Sequence, residues 1–318
     1  MIKIRTYKII TFGCQMNIAD SGSLSALMNA SGYKSVESDE NADIIIINTC
    51  SVRQKAEERV FGRLGYLSKY KKDDNFKIIA VVGCMAQRMA GQILERAPYV
   101  DFILGTDQML GLPKLLDTRH STPEVKTELG FEETSDFTPS RDSKYSAYVS
   151  IIRGCNNFCT YCIVPYVRGR ERSYSVSKIV NQVNGFVEDG VKEITLLGQN
   201  VNSYADGGHR FPHLLEMLAK ETDIKRIRFM TSHPKDLSDN LIEVMASNSK
   251  IMPHIHLPMQ SGSESILKRM KRVYTFKHYF ELTEKLKRSI SDIAITTDLI
   301  VGFPSETEKD FEKTLEAV

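Results

Sequence analysis

The first 105 residues alternate short apolar runs with longer segments whose apolar residues recur at helical spacing. Such runs predict strands, and such segments predict amphipathic helices. The run at 44–47 consists of four isoleucines, which is typical of a strand buried on both faces. The alternating order predicts a doubly wound parallel α/β sheet. The expected strands are 7–12, 43–48, 77–82 and 100–104, and the expected helices are 21–30, 52–70 and 86–97.

The second half resumes the same alternation after a polar stretch at 118–145 that contains two prolines. Five β/α units in a row predict a parallel barrel or half-barrel. We therefore expect a first domain at 1–117, a linker at 118–145 and a second domain at 146–318, with the barrel cut short inside the helix after its fifth strand. The expected strands are 147–152, 192–197, 225–230, 254–257 and 293–301, and the expected helices are 176–189, 212–221, 238–247, 263–271, 276–289 and one from about 307.

Composition narrows the class of protein. A chain of 318 residues with 42% hydrophobic and 26% charged residues is typical of a soluble globular protein. It has no run of 18 apolar residues and no N-terminal export signal, so we expect a cytoplasmic protein without a membrane partner. A net charge of +2 is too small to indicate nucleic-acid binding by itself. Local basic groups remain candidates for phosphate contact or for a solvated surface, namely Arg168, Arg170, Arg172 and the run 268–272.

Three of the six cysteines, Cys155, Cys159 and Cys162, form a C-x3-C-x2-C pattern after the first barrel strand. Three thiolates on one loop can hold three irons of a [4Fe–4S] cluster and leave the fourth iron open. S-adenosylmethionine can fill that position with its amine and carboxylate, and a reduced cluster can then release a 5′-deoxyadenosyl radical. Zinc would need a fourth ligand, and none stands nearby. A redox C-x2-C pair would leave Cys155 unexplained.

The other three cysteines, Cys14, Cys50 and Cys84, each stand just past a predicted parallel strand. Intervals of 35 and 33 residues separate them, one βα unit each. In a doubly wound sheet the carboxyl ends of the strands line one crevice, and nearby helix N-termini favour thiolates. This placement predicts a second three-ligand cluster, whose spare iron could hold a sulfur group. The alternative is three buried packing cysteines, since disulfides are not expected in a chain without an export signal.

The pattern C-x3-C-x-aromatic-C resembles the signature of the radical S-adenosylmethionine superfamily. Together with the segments TFGCQMN, NTCSVRQKAEERVFGRLG and GCMAQ, the sequence resembles the methylthiotransferases, in particular the branch that modifies tRNA. The resemblance implies two [4Fe–4S] clusters, S-adenosylmethionine, a tRNA substrate and an electron donor such as flavodoxin. It implies that a methylthio group is added to C2 of N6-(dimethylallyl)adenosine. It also leads us to expect that the family's C-terminal RNA-binding domain is missing here.

The same resemblance implies roles for individual residues. Cys155, Cys159 and Cys162 would be catalytic together with Cys50, and all six cysteines would bind iron. The ends of the second to fifth barrel strands, where barrel active sites form, carry the segments LLGQN, TSHP, HLPMQSGS and DLIVGFPSE, and each could also be ordinary turn chemistry. The resemblance implies that LLGQN contacts the methionyl moiety of the cofactor and DLIVGFPSE its adenine. The implied S-adenosylmethionine contacts are Tyr161, Gly198, Gln199, Asn200, Ser232, Gln260, Val301 and Gly302.

Other residues depart from the family pattern or stay open. Ser305 stands where the family usually has the second glycine of GFPGET, and Val273 where it has a small or basic residue. His254 and His256 share a strand face and suit a metal pair or a polar barrel interior. Asp298 could orient substrate or satisfy backbone.

Two other functions remain open from the sequence. One is the same chemistry on another modified tRNA adenosine or on a ribosomal-protein aspartate. The other is a two-cluster electron carrier or redox sensor without turnover. A carrier would usually have closed clusters with four ligands each, whereas this chain offers two sets of three cysteines.

Overall fold

A computed structural model describes residues 5–52, 54–73, 77–117, 122–130 and 138–318. The chain divides into two compact units. The first consists of Met1–Asp142 and Ile163–Gly169, and the second of Ser143–Cys162 and Arg170–Val318. A short segment after the second cysteine triad therefore belongs to the first unit.

The first unit is a parallel six-stranded sheet with the strand order β2-β1-β3-β4-β5-β6. Helices connect all successive strands except β2 and β3, which a loop joins, and the doubly wound fold class is confirmed. The strands are β1 (Thr6–Thr11), β2 (Lys34–Ser35), β3 (Ile44–Thr49), β4 (Ile78–Gly83), β5 (Phe102–Leu104) and β6 (Glu124–Lys126). The helices are α1 (Gln15–Ala30), α2 (Gln54–Asp73), α3 (Cys84–Arg96), α4 (Leu112–Leu115) and α5 (Val164–Arg168).

The isoleucine run of β3 serves both faces of this sheet. Ile45 and Ile47 belong to the hydrophobic cluster that includes side chains of α2 and α3, whereas Ile44 and Ile46 belong to the cluster that includes side chains of α1. Successive side chains of a strand point to opposite faces, which is why an unbroken apolar run fits here.

Two features of the first unit differ from the expectation. Helix α1 begins at Gln15, not at residue 21, because Cys14 occupies its N-cap and several polar residues of its first turns are buried. The polar stretch expected as a linker contributes β6, which pairs in parallel with β5. Residues 118–121 and 131–137 of that stretch lie outside the described residues.

The second unit is a partial β/α barrel, as predicted. Strands β7, β10 and β13 form a parallel sheet, β14 and β15 form a parallel pair, and a parallel bridge joins Ile227 to Ile251 ahead of β14. The strands are β7 (Ser146–Ser150), β8 (Ile152–Arg153), β9 (Arg172–Ser173), β10 (Glu193–Leu197), β11 (Ala205–Asp206), β12 (His209–Arg210), β13 (Arg226–Phe229), β14 (His254–His256) and β15 (Ala294–Thr296). The helices are α6 (Val176–Glu188), α7 (Phe211–Glu221), α8 (Asp239–Ser247), α9 (Glu264–Arg269), α10 (Phe276–Ser289) and α11 (Glu308–Glu316).

Two predicted strands are shorter than expected. The strand expected at 147–152 ends at Ser150, and Ile152–Arg153 pairs antiparallel with β9 instead. The strand expected at 293–301 ends at Thr296, and beyond it Leu299 forms only an isolated bridge with Gln260, whose φ of +71° breaks the ladder. Within the described residues, no helix combines the length and apolar character that crossing a membrane requires.

Candidate metal centres

The first cysteine triad lies at the ends of three adjacent parallel strands. Cys14 is the N-cap of α1 after β1, Cys50 directly follows β3, and Cys84 is the first residue of α3 after β4. The register pairs the ends of β1, β3 and β4 level with one another, so the triad follows one edge of the sheet. Cys50 and Cys84 are buried, whereas Cys14 is exposed. The crevice at the switch from β1 to β3 is where this fold binds ligands.

The charges around this triad are coupled. Burial raises the pKa of Cys50 and of Cys84, the neighbouring thiols raise each further, and the guanidinium of Arg168 lowers both. No three His, Cys, Asp or Glu side chains among the described residues are grouped around a site for a single metal ion. A cubane cluster makes a different demand, because each iron takes its own thiolate. A donor set of three thiols without carboxylates fits such a cluster.

A buried amide pair ties the Cys14 side of the triad to the Cys50 side. Asn17 Nδ2 donates to Asn48 Oδ1 at 3.1 Å and to the carbonyl of Thr49 at 3.0 Å, and Asn48 Nδ2 returns a bond to the carbonyl of Asn17 at 2.9 Å. Asn17 Oδ1 lies 3.4 Å from Cys14 Sγ. Both amide side chains belong to residues that are 0% exposed, so these bonds are shielded from water.

Thr49 makes the corresponding link to the third cysteine. Its hydroxyl donates to the carbonyl of Val82 at 2.6 Å and accepts the backbone N–H groups of Met85 and Ala86 at 3.2 and 3.4 Å. It thereby satisfies N–H groups in the first turn of α3, the turn that begins with Cys84. Asn17, Asn48 and Thr49 were not among the residues predicted from the sequence, although all three lie in the segments that carry the resemblance.

The second triad lies on the loop after β8. Cys155 and Cys159 are buried and Cys162 is half-buried. Asn157 Nδ2 donates to Cys155 Sγ at 3.4 Å. Burial raises the pKa of Cys155 to about 11, so without metal this thiol keeps its proton at neutral pH. Iron binding must then release protons from the site.

Arg272 approaches this triad from a distant part of the sequence. Its Nη1 lies 3.5 Å from Cys159 Sγ and its Nη2 donates to the carbonyl of Pro258 at 3.1 Å. Its Nε donates to Tyr274 Oη at 2.9 Å, and that phenol donates to the carbonyl of Met259 at 2.8 Å. The guanidinium is therefore held beside the Cys159 sulfur by hydrogen bonds to Pro258 and Tyr274.

Two of the arginines expected to contact phosphate or to lie on a solvated surface, Arg168 and Arg272, do neither in the structure. Arg168 is buried and forms an ion pair with Asp20 at 2.9 Å, so it is neither a surface phosphate contact nor part of a solvated face. Arg272 is engaged at Cys159, unlike its exposed neighbours Lys268 and Arg269. Their charges looked alike in the sequence because burial depends on long-range packing.

The residues after β10 include two of the predicted cofactor contacts with defined hydrogen bonds. Gln199 Oε1 accepts the backbone N–H of Gly154 at 2.6 Å, which fixes the loop just before Cys155. Asn200 is buried and its Nδ2 donates to Asp236 Oδ2 at 2.6 Å. Its Oδ1 is buried without a hydrogen-bond partner in the described part of the chain. Gly198 directly follows the strand.

Two more predicted contacts lie past the ends of β13 and β14. Ser232 donates its backbone N–H to the carbonyl of His256 at 3.3 Å, and its buried hydroxyl has no partner among the described residues. Gln260 exchanges backbone bonds of 2.9 Å with Asp298 and Ile300. Unpaired buried polar atoms at Asn200 and Ser232 are expected where a polar ligand binds, because leaving them unsatisfied costs free energy.

The remaining predicted contacts are more exposed. Tyr161 is 37% exposed, and burial of its phenol raises its pKa. Val301 is 61% exposed, and it and Gly302 lie beyond β15 rather than on it. Among the hydrogen bonds described, none joins Val301 or Gly302 to the other predicted contacts.

His254 and His256 share a face of β14, as expected. Both imidazoles contact Thr296 Oγ1, at 3.4 and 3.0 Å, and His256 Nε2 lies 3.4 Å from Asp298 Oδ2. The hydroxyl between them is a hydrogen-bonding group rather than a preferred metal ligand, so this arrangement suits the polar-interior interpretation better than the metal pair.

Family models match both units. Residues 149–318 match the radical SAM superfamily, and residues 6–105 match the family described as Uncharacterized protein family UPF0004. A tRNA-2-methylthio-N(6)-dimethylallyladenosine synthase from Caldicellulosiruptor saccharolyticus is 49% identical, across 99% of this chain and 69% of that protein. The protein of the same name from Dictyoglomus thermophilum is 47% identical, across 98% of this chain and 72% of that protein.

The chain belongs to the radical S-adenosylmethionine superfamily, in the family of these tRNA methylthiotransferases. Membership implies S-adenosylmethionine and a [4Fe–4S] cluster, and it confirms the resemblance stated from the sequence.

Solved radical S-adenosylmethionine enzymes share the fold. The methyltransferase TsrM from Kitasatospora setae, with cobalamin and a [4Fe–4S] cluster bound, aligns with a TM-score of 0.72 at 11% identity, across 99% of this chain and 72% of that one. The cobalamin-dependent enzyme OxsB aligns with a TM-score of 0.69 at 17% identity, across 99% of this chain and 52% of that one. At these identities the likeness speaks for the fold alone.

Proposed function

We propose that this methylthiotransferase adds a methylthio group to C2 of N6-(dimethylallyl)adenosine in tRNA. The carrying observation is the pair of cysteine triads, each at strand ends of its own unit, in a chain nearly half identical to synthases of that name. The two sets of three thiols and the relatives' enzyme name argue against an electron carrier. Another modified adenosine or a ribosomal-protein aspartate is the second candidate substrate, and the relatives' name favours the first.

The second triad, Cys155, Cys159 and Cys162, would hold the cluster that binds S-adenosylmethionine. When bound, cluster and cofactor together supply a carbon-centred radical that can remove a hydrogen atom from an unreactive C–H bond. The chain's own contribution is to position them. Gln199 holds the backbone before Cys155, and Arg272 contacts the sulfur of Cys159. The unpaired polar atoms of Asn200 and Ser232 are available to polar groups of the cofactor.

The first triad, Cys14, Cys50 and Cys84, would hold a second [4Fe–4S] cluster that provides sulfur for the product. Asn17, Asn48 and Thr49 fix the relative positions of the three strand ends. Cys14 is the exposed member, so that side of the triad is accessible to a sulfur-containing group. We propose tRNA and a flavodoxin-like electron donor as partners, and the cytoplasm as the place of action because tRNA is found there.

Single cysteine variants test whether the two triads have these separate roles. Cys50→Ala should abolish methylthiolation of tRNA and leave reductive cleavage of S-adenosylmethionine to 5′-deoxyadenosine, because the second triad is intact. Cys159→Ala should abolish both. Each variant is first checked for folding by circular dichroism and for iron content.

Packing cysteines would behave differently, since their loss lowers both activities together with stability. If folded Cys50→Ala that retains the cluster of the second triad still made methylthiolated tRNA, Cys50 would have no part in sulfur transfer. Mass spectrometry of tRNA nucleosides identifies the product and separates dimethylallyladenosine from other substrates.

A further inference from the structure

A buried ion pair lies between the helices that begin at the first triad. Arg168 Nη2 contacts Asp20 Oδ2 at 2.9 Å, and the two side chains are 3% and 5% exposed. Asp20 lies on the buried face of α1, the helix capped by Cys14. Arg168 ends α5, which packs against α3, the helix that begins at Cys84.

The segment that carries Arg168 is anchored next to it. Thr106 Oγ1 donates to the carbonyl of Val167 at 2.7 Å, and both groups are buried. The guanidinium is therefore held in place within the first unit. Its charge is buried between helices whose first turns carry the triad, since Asp20 lies on the helix capped by Cys14 and α5 packs against the helix that begins at Cys84.

Stability alone is a weak explanation for this pair. Desolvating two charges offsets most of their mutual attraction, so apolar replacements for buried ion pairs are often neutral or stabilising. A third charged group changes this balance. A [4Fe–4S] cluster on three thiolates carries net negative charge, and its reduction adds one more electron.

We propose that Arg168 is a positioning residue for the cluster on Cys14, Cys50 and Cys84: its buried positive charge stabilises the reduced cluster, and Asp20 orients the guanidinium and offsets part of that charge. The inference rests on the proposed function, which provides the cluster. A nearby fixed positive charge favours the more negative redox state and thus raises the reduction potential. A nearby fixed negative charge does the opposite.

The test uses the full chain with Cys155, Cys159 and Cys162 changed together to Ala, reconstituted with iron and sulfide, so that only one cluster gives a signal. Redox titration is followed by electron paramagnetic resonance. We expect Arg168→Met to lower the ratio of reduced to oxidised cluster about tenfold at a fixed ambient potential, a shift of about 59 mV for one electron. Asp20→Asn should shift the ratio in the opposite direction.

Opposite signs distinguish a charge effect from damage to the fold, which would move both variants alike. The double variant Arg168→Met/Asp20→Asn removes both charges, and because Asp20 offsets only part of the Arg168 charge, its potential should lie between those of the two single variants. Arg96→Met, at the far end of α3, removes a charge that stacks on Phe61 at 3.5 Å and should leave the potential unchanged.

Shifts of the same sign, or no shift above twofold in either single variant, overturn the proposal. If Arg168→Met does not fold, Asp20→Asn decides alone, and an unchanged or lowered potential overturns it. A background chain that holds no cluster at all overturns the proposed function itself, and that result is recognisable from the iron content before any charge variant is made.

Discussion

At the residue scale, Ser305 holds a backbone conformation that favours glycine. Its φ is +69°, and its carbonyl accepts a bond from Arg269 Nη1 at 2.6 Å. The left-handed region costs a side chain roughly 1–2 kcal/mol. The family pattern has glycine at this position, so the serine found here adds backbone strain that glycine would not have.

Ser305→Gly should therefore raise the free energy of unfolding, by about 0.5–1 kcal/mol after the entropy cost of glycine. Urea denaturation measures it. Ser177→Gly inside α6 is the matched control and should lower stability, because no strain is relieved there. Equal effects of the two substitutions would contradict the explanation.

Gly83, the residue before Cys84, is a glycine that the backbone requires. Its φ is +95°, and a Cβ there would lie 2.8 Å from the carbonyl oxygen of Thr49. Gly83→Ala should cost roughly 1–3 kcal/mol and reduce iron loading of the first triad. An alanine side chain at Gly91, inside α3, would meet open space. Gly91→Ala should therefore be neutral or stabilising. Iron analysis and urea denaturation of both variants check this.

At the element scale, one hydroxyl connects β3 to β4 and to the start of α3. Thr49→Val keeps the shape but leaves the N–H of Met85 without its buried acceptor. We expect a loss of about 1–3 kcal/mol of stability. Thr195→Val in β10 is the comparison, because valine also suits a strand, and it should stay within about 0.5 kcal/mol. A Thr49 variant as stable as the Thr195 variant would show that this link is unimportant.

Helix α11 is joined to the segment after β14 through Asp310. Its carboxylate accepts the hydroxyls of Ser263 and Ser265 at 2.6 Å and of Thr307 at 2.7 Å, and these bonds hold the pKa of Asp310 well below its usual range. The stabilisation is present above the unfolded-state pKa of about 4 and is lost as the pH falls through the lower folded-state value.

Asp310→Asn should accordingly lower the melting temperature at pH 7, and the gap to the parent chain should narrow on acidification below pH 4. Thermal unfolding across this pH range provides the measurement. A gap that stays constant with pH would mean that the carboxylate charge plays no part.

At the scale of the whole molecule, each unit contributes one triad. The reconstituted chain should bind about eight irons, and changing either triad to Ala should leave about four. Iron and sulfide analysis of the parent and the two triple variants checks this. A variant that kept the full complement, or lost all iron while still folded, would disprove the assignment of one cluster to each triad.

The architecture and both triads could be predicted because their signals are local. Apolar periodicity indicates strands and helices, and a parallel sheet brings successive strand ends to one edge. The C-x3-C-x2-C spacing places three thiols on one loop whatever the rest of the chain does. The starts and ends of elements were less accurate, as at α1 and β15, because buried polar residues and a left-handed Gln260 interrupt the pattern.

By itself, the sequence determined the fold class, the family and the grouping of the six cysteines into two triads. Only the tertiary structure decided which charged side chains lie near those cysteines. Arg168 and Asp20 are 148 residues apart in the chain, and Arg272 and Cys159 are 113 apart. A basic residue carries no local mark of whether it will be solvated or buried, because desolvation and pairing depend on the elements that pack around it.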